Sequence, residues 1–153
     1  MSRAFVREGD SEEALPERPV SAHPNFVTPR GLAQLESRLR QLERERSEAR
    51  AAGERQRLAG VERDLRYFAA RRRSAQLVEP QAVATQLRFG MLARVRTAQG
   101  VERGYRLVGE DEAEPAAGLI SHASPLARAL LGCAVGDTVA FGADALEVLA
   151  LEA

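Results

Sequence analysis

Residues 28–75 read TPRGLAQLESRLRQLERERSEARAAGERQRLAGVERDLRYFAARRRSA. Thr28-Pro29 offers a side-chain N-cap followed by proline at the first helical position, where the missing N–H would have had no partner. Leu32, Leu35, Leu39 and Leu42 follow at spacings of three, four and three, which puts all four on one helix face. Beyond Leu42 this stripe weakens to Arg46 and Ala49, which predicts a frayed or loosely packed end. Gly53 breaks the pattern. A second stripe then runs through Leu58, Val61, Leu65, Phe68, Arg72 and Ala75. Two such stripes with a glycine between them predict an antiparallel helical hairpin whose arms are each roughly 35 Å long. A two-helix hairpin buries little, so its base is expected to stand on a second domain.

Working outward, the chain divides into three compositions. Residues 1–27 carry three prolines and five acids and show no periodicity, which predicts a disordered, mobile tail, with Ala4-Phe5-Val6 as a short piece able to dock. Residues 28–79 are the coiled-coil hairpin. Residues 80–153 switch to period two and turn signals. There, residues 87–97 read as a strand, Gln99-Gly100 as a hairpin turn and residues 102–108 as the returning strand. Leu119-Ile120-Ser121 reads as a short strand. Ser124-Pro125 caps a helix over residues 126–131 that Gly132 ends. Two further strands cover residues 138–141 and 146–151. The fold class predicted is α+β, a helical hairpin followed by a small antiparallel sheet domain with one short helix.

Charge sharpens the division. The 153 residues hold 22 basic and 22 acidic side chains, so a global polycation is excluded. Residues 30–73, however, hold 13 arginines against seven acids, whereas residues 74–153 hold six against ten. The rod is basic and the remainder acidic. Helix-surface pairs such as Glu36–Arg40 explain part of this. The run Arg71-Arg72-Arg73, with Arg55 and Arg57, also suggests a basic hairpin surface suited to a polyanion.

The search for chemistry is mostly negative. All 22 basic residues are arginine, so a lysine nucleophile, Schiff base or P-loop lysine is impossible. One cysteine, Cys133, forms no internal disulfide, and with two histidines it makes a structural zinc site implausible. At a helix C-terminus its thiol is expected to be idle. Gly109-Glu110-Asp111-Glu112-Ala113-Glu114-Pro115 holds four carboxylates without the spacing of a calcium loop and reads as a solvated turn. His122 near Ser124 has no nucleophile-elbow context, and no GxGxxG follows a strand. With no apolar run near 20 residues and no apolar leader, a cytoplasmic protein with no membrane contact is expected.

Two stretches carry a family resemblance. One is Thr28-Pro29-Arg30-Gly31-Leu32 with Leu35 and Leu39. The other is Tyr105-Arg106-Leu107-Val108-Gly109-Glu110-Asp111-Glu112-Ala113, then Ile120-Ser121, Ser124-Pro125-Leu126-Ala127-Arg128-Ala129-Leu130-Leu131-Gly132 and Val135-Gly136-Asp137. Together with Arg63-Asp64-Leu65-Arg66-Tyr67-Phe68 and Arg88-Phe89-Gly90, these resemble the bacterial Gre transcript-cleavage factors, the GreB type most. The resemblance implies an FKBP-like C-terminal domain that grips bacterial RNA polymerase at the rim of its secondary channel. It also implies a coiled coil pushed inward, with access to nascent RNA or other nucleic acid of the elongation complex. Family members act as accessory factors rather than enzymes: two acids at the hairpin tip help to hold a Mg²⁺ in the polymerase active site, and the factor has no cofactor of its own. Ser124, Pro125 and Arg128 are the polymerase-binding residues carried over, although Ala123 stands where the family has Asp or Asn.

At the tip this sequence departs from the family, which reads Gly-Asp-x-x-Glu-Asn there. Here Gly53-Glu54-Arg55-Gln56-Arg57-Leu58 keeps Glu54 as a weak candidate for the first acid, and Arg57 replaces the second. The hairpin is also several turns shorter. The expectation is a regulator that binds polymerase without efficient cleavage stimulation and has no metal ligands of its own. The alternatives are a cleavage factor using Glu54 with Glu48 or Glu62, and a relative of the short-hairpin Rnk regulators. A prolyl isomerase, suggested by the FKBP-like fold, would need Phe89, Tyr105 and Phe141 to form a pocket.

Overall fold

In the computed structural model, which describes residues 15–153, the hairpin consists of α1 (Pro29–Ala52) and α2 (Arg55–Ser74). At 1.5 Å per residue the arms are about 36 and 30 Å long. Thr28 is the N-cap, its Oγ1 accepting from Gly31 N at 3.0 Å. Leu35, Leu42 and Ala49 on α1 are buried, as are Val61 and Leu65 on α2, with Leu39 and Phe68 packed against them. The first stripe therefore holds past Leu42, and Ala49 is fully buried.

The second stripe stops at Phe68. Arg71 turns inward, 1% exposed, while Arg72 lies outside and pairs with Glu36 at 3.0 Å. Glu36 thus bridges the two helices rather than pairing with Arg40 along its own.

The hairpin entry and exit are tied together. β1 (Phe26–Val27) and β2 (Gln76–Leu77) pair in parallel. The expected tail over residues 1–27 is corrected for its second half: from Leu15 the chain runs back along α2 as a strap. Glu17 accepts from both Nε and Nη2 of Arg66, and Arg18 pairs with Asp64 at 3.3 Å with its guanidinium 4.0 Å from the Tyr67 ring centre. Asn25 is buried, donating to Arg71 O at 2.7 Å. Such side-chain pairing needs no apolar periodicity, which is why the sequence pattern hid it. Ala4-Phe5-Val6 lies outside the described residues.

The head is a five-stranded sheet in the order β5-β4-β3-β7-β6: β3 (Leu92–Thr97), β4 (Glu102–Val108), β5 (Leu119–Ser121), β6 (Thr138–Phe141) and β7 (Asp144–Glu152). A single turn of 3₁₀ helix (Pro115–Ala117) precedes β5, and the short helix α3 (Pro125–Leu130) follows it. The sheet is mixed rather than antiparallel throughout, because β5 runs parallel to β4. β3 begins at Leu92 rather than at residue 87. Leu87 instead exchanges backbone bonds with Gly132 and Cys133, each 2.8 Å, and so fastens the lead-in to the end of α3. Val95, Leu107, Leu130 and Val148 form the centre of the core.

Candidate functional site: tip, base and docking helix

The tip is a closed structure, and the frayed end that the weakening stripe predicted is not found. Gly53 lies at φ 67°, the left-handed region that a residue with a side chain enters only at a cost. Gly53 N donates to Arg50 O at 3.2 Å and Glu54 N to Ala49 O at 3.0 Å, the two bonds of a Schellman cap. α2 starts two residues later, so the helices are joined with almost no loop. Arg50 pairs across the hairpin with Glu62 at 3.1 Å.

The electrostatics of the tip centre on Arg57. Its Nη1 bonds Glu54 Oε2 and its Nη2 bonds Glu48 Oε2, each at 3.2 Å. One guanidinium therefore sits between the two carboxylates nearest the end of the rod. Both acids hold Arg57 more firmly protonated than an ordinary arginine, Glu54 most strongly. Among the described residues no group of three or more acids, histidines and cysteines could hold a metal ion. The residues at the tip do not fit a shared Mg²⁺: the space between the carboxylates is filled by a side chain carrying a fixed positive charge.

The base contains the most heavily buried polar cluster of the described residues, and it was missed in the sequence. Arg71 Nε donates to Asp111 Oδ2 at 2.6 Å, and its Nη2 donates to Asn25 Oδ1 at 2.8 Å. Glu110 approaches the same guanidinium at 3.4 Å. Tyr67 Oη donates to Asp111 Oδ1 at 2.5 Å, and Thr28 Oγ1 to the buried Glu112 Oε1 at 2.5 Å. The turn at residues 109–115 is therefore not a solvated loop. It is the socket that receives the hairpin, and Arg71 belongs to that socket rather than to a basic surface. Gly31 leaves room for the Thr28–Glu112 bond, since a Cβ there would lie 2.8 Å from Glu112 Oε1 and push that carboxylate off Thr28. Burial and the bond to Asp111 push the Tyr67 phenol up to about 12. A fixed offset of acids against Arg71, some 40 residues away in the chain, was the only available signal, and local periodicity does not carry it.

Of the remaining hairpin arginines, Arg72 is paired, Arg73 is exposed on the last turn of α2, and Arg55 and Arg57 flank the tip. The arginines expected to form one basic patch are thus split between the tip (Arg55, Arg57) and the base (Arg72, Arg73).

The residues expected to dock on polymerase, Ser124, Pro125 and Arg128, sit together at α3. Ser124 is its N-cap, the Oγ accepting from Ala127 N at 3.3 Å, and Pro125 is at the first helical position. Pro125 and Arg128 are exposed three residues apart on α3, and Leu131, just past its end, is exposed as well, so the cap leaves an outward-facing row. Ala123 N bonds Ser121 Oγ at 3.2 Å. Beside α3 lies an apolar cleft of about 420 Å³ lined by Phe26, Val78, Leu87, Phe89 and Leu131. Of the three aromatics considered for a proline pocket, Phe89 alone lines it; Tyr105 packs on the core and Phe141 lies in β6. His122 makes edge contacts with Phe26 and Phe89, and burial lowers its pKa. Cys133 is buried, and burial and then Asp137 push its thiol up, away from the reactive form.

The family described as "Transcription elongation factor, GreA/GreB, C-term" matches residues 82–152. Transcription elongation factor GreB of Yersinia pestis is 36% identical over 137 residues, covering 77% of this chain and 80% of its own. GreB of Neisseria meningitidis serogroup A is 30% identical over 152 residues, covering 84% and 93%. A solved GreA/GreB factor from Nitrosomonas europaea superposes over 84% of this chain and 99% of its own at a TM-score of 0.42 and 19% identity. No helix of the described residues is long and apolar enough to cross a membrane. With GreB relatives at these identities across most of both chains, the protein belongs to the GreA/GreB family of transcription elongation factors.

Proposed function

We propose that this protein is a cytoplasmic, non-enzymatic elongation regulator that binds bacterial RNA polymerase at the secondary-channel rim through its head and does not efficiently stimulate transcript cleavage. The observation that carries the reading is Arg57 seated between Glu48 and Glu54. A carboxylate pair lent to a metal must offer free oxygens within roughly 2–2.6 Å of the ion. Here those oxygens face a guanidinium that carries a fixed positive charge. The outward row Pro125, Arg128 and Leu131 supports retained docking. Arg73, exposed on the last turn of α2, leaves positive charge at the base of the rod for nucleic acid or acidic channel walls.

The test uses backtracked elongation complexes with Mg²⁺. The protein alone is expected to leave the RNA length unchanged, and in excess it is expected to suppress cleavage by an authentic GreB. RNA shortening that disappears in Glu54→Ala would establish the cleavage-factor alternative instead. Failure to suppress GreB would reject polymerase docking.

A further inference from the structure

The two outer edges of the head sheet differ. β5 is covered: Glu114 and Leu119 exchange backbone bonds at 2.8 and 3.1 Å across its outer side. β6 pairs with β7 alone. Its register determines which groups stay free. The turn closes at Phe141 opposite Asp144, and Val148 N donates to Asp137 O at 2.8 Å. Bonded and non-bonded pairs alternate along an antiparallel ladder. Asp137, Val139 and Phe141 therefore face β7, and Thr138 and Ala140 turn their N–H and C=O groups outward. None of these four groups has a backbone partner among the described residues. Natural edges are blunted by charge, proline, bulges or a covering element. Thr138-Val139-Ala140-Phe141 contains none of the first three, and Thr138, Ala140 and Phe141 are exposed.

The surroundings select what can pair there. Residues 129–153 contain no arginine and four acids; Glu152 is paired with Arg94 of β3 at 3.1 Å, which leaves Asp137, Asp144 and Glu147 around β6. Asp137 and Asp144 flank the two ends of β6, and Glu147 stands opposite Thr138 on β7. Self-pairing of two copies would set the Asp137 end of each strand beside the Asp144 end of the other, so like charges oppose it. Val135 and Phe141 are exposed at 59% and 36%, close in sequence to the same edge.

We propose that the outer edge of β6 docks an extended segment of a partner protein, apolar at alternate positions and carrying arginine or lysine at both ends. Backbone bonds to Thr138 and Ala140 supply the pairing, and the flanking acids set the register. This attachment does not depend on the polymerase reading and uses none of Ser124, Pro125 or Arg128.

The full chain, ¹⁵N-labelled, is titrated with the blocked hexapeptide Arg-Thr-Val-Thr-Val-Arg and with its Glu-ended counterpart, and amide exchange is followed by NMR. The Arg-ended peptide is expected to slow exchange at Thr138 and Ala140 by at least about threefold, with the effect fading as salt rises, and the Glu-ended peptide to leave both unchanged. Ala140→Pro removes an outward N–H without touching the β7 ladder and is expected to abolish the protection; Asp144→Asn is expected to weaken it. No slowing with the Arg-ended peptide, or equal slowing with both, overturns the proposal. So does protection that appears without peptide and grows with protein concentration, which would assign the edge to a second copy.

Discussion

Single residues at the socket make the protein's pH response calculable in sign. Tyr67 titrates near 12 in the fold against about 10 in an unfolded chain. A folded pKa above the unfolded one gives stability that is complete below pH 10 and is lost as pH rises through 12. Chemical denaturation between pH 9 and 12 is expected to show that decline, and Tyr67→Phe to flatten it. His122 behaves in the opposite sense. Its folded pKa lies below the ordinary value because burial against Phe26 and Phe89 disfavours the cation, and Glu110 opposes this only in part. The unfolded state then binds more protons below about pH 6.5, so stability falls on acidification. His122→Phe is expected to reduce the stability difference between pH 5 and pH 8, read from urea midpoints.

At the level of elements, the two glycines near the hairpin tip have opposite roles. Gly53 ends α1 in the left-handed region, whereas Gly60 lies inside α2 at an ordinary helical φ with open space around its Cα. Gly53→Ala is expected to cost about 1 kcal/mol and Gly60→Ala to add roughly 0.5–1 kcal/mol, both measurable by urea unfolding. The elements were largely legible in the sequence because their signals are local: Thr28-Pro29 and Ser124-Pro125 as caps, the leucine stripe, and the strand over residues 102–108. What escaped is non-local. The acids of residues 110–112 read as solvated because nothing nearby in the chain pairs with them, and Arg71 read as surface because its neighbours Arg72 and Arg73 are. The direction of β5 was equally hidden, since a strand's alternation is the same whichever way it runs.

Considered whole, the molecule joins rod and head through charge more than through oil. The hydrophobic clusters of hairpin and head are separate, and the socket around Arg71 lies between them. Removing one partner of a buried ion pair costs on the order of 3–5 kcal/mol, because the other charge is stranded. Arg71→Met is therefore expected to destabilise the protein by about that amount and to split one calorimetric transition into two, with the hairpin melting first. Arg73→Met, one turn end away and exposed, is expected to change the midpoint by less than about 0.5 kcal/mol equivalent. The tip signal, Arg57 in place of an acid, was readable from residue order alone; that it bridges Glu48 and Glu54 required the helices to be brought side by side.

The parallel clasp of β1 and β2 has a mechanical corollary. Both legs of the rod are anchored at one pivot, with Phe26 level with Gln76 and Val27 with Leu77. Sideways thrust at the far end, acting over a lever arm of roughly 35 Å, therefore reaches the head as torque instead of being dissipated by one leg sliding past the other. Whatever the tip meets, the head will feel.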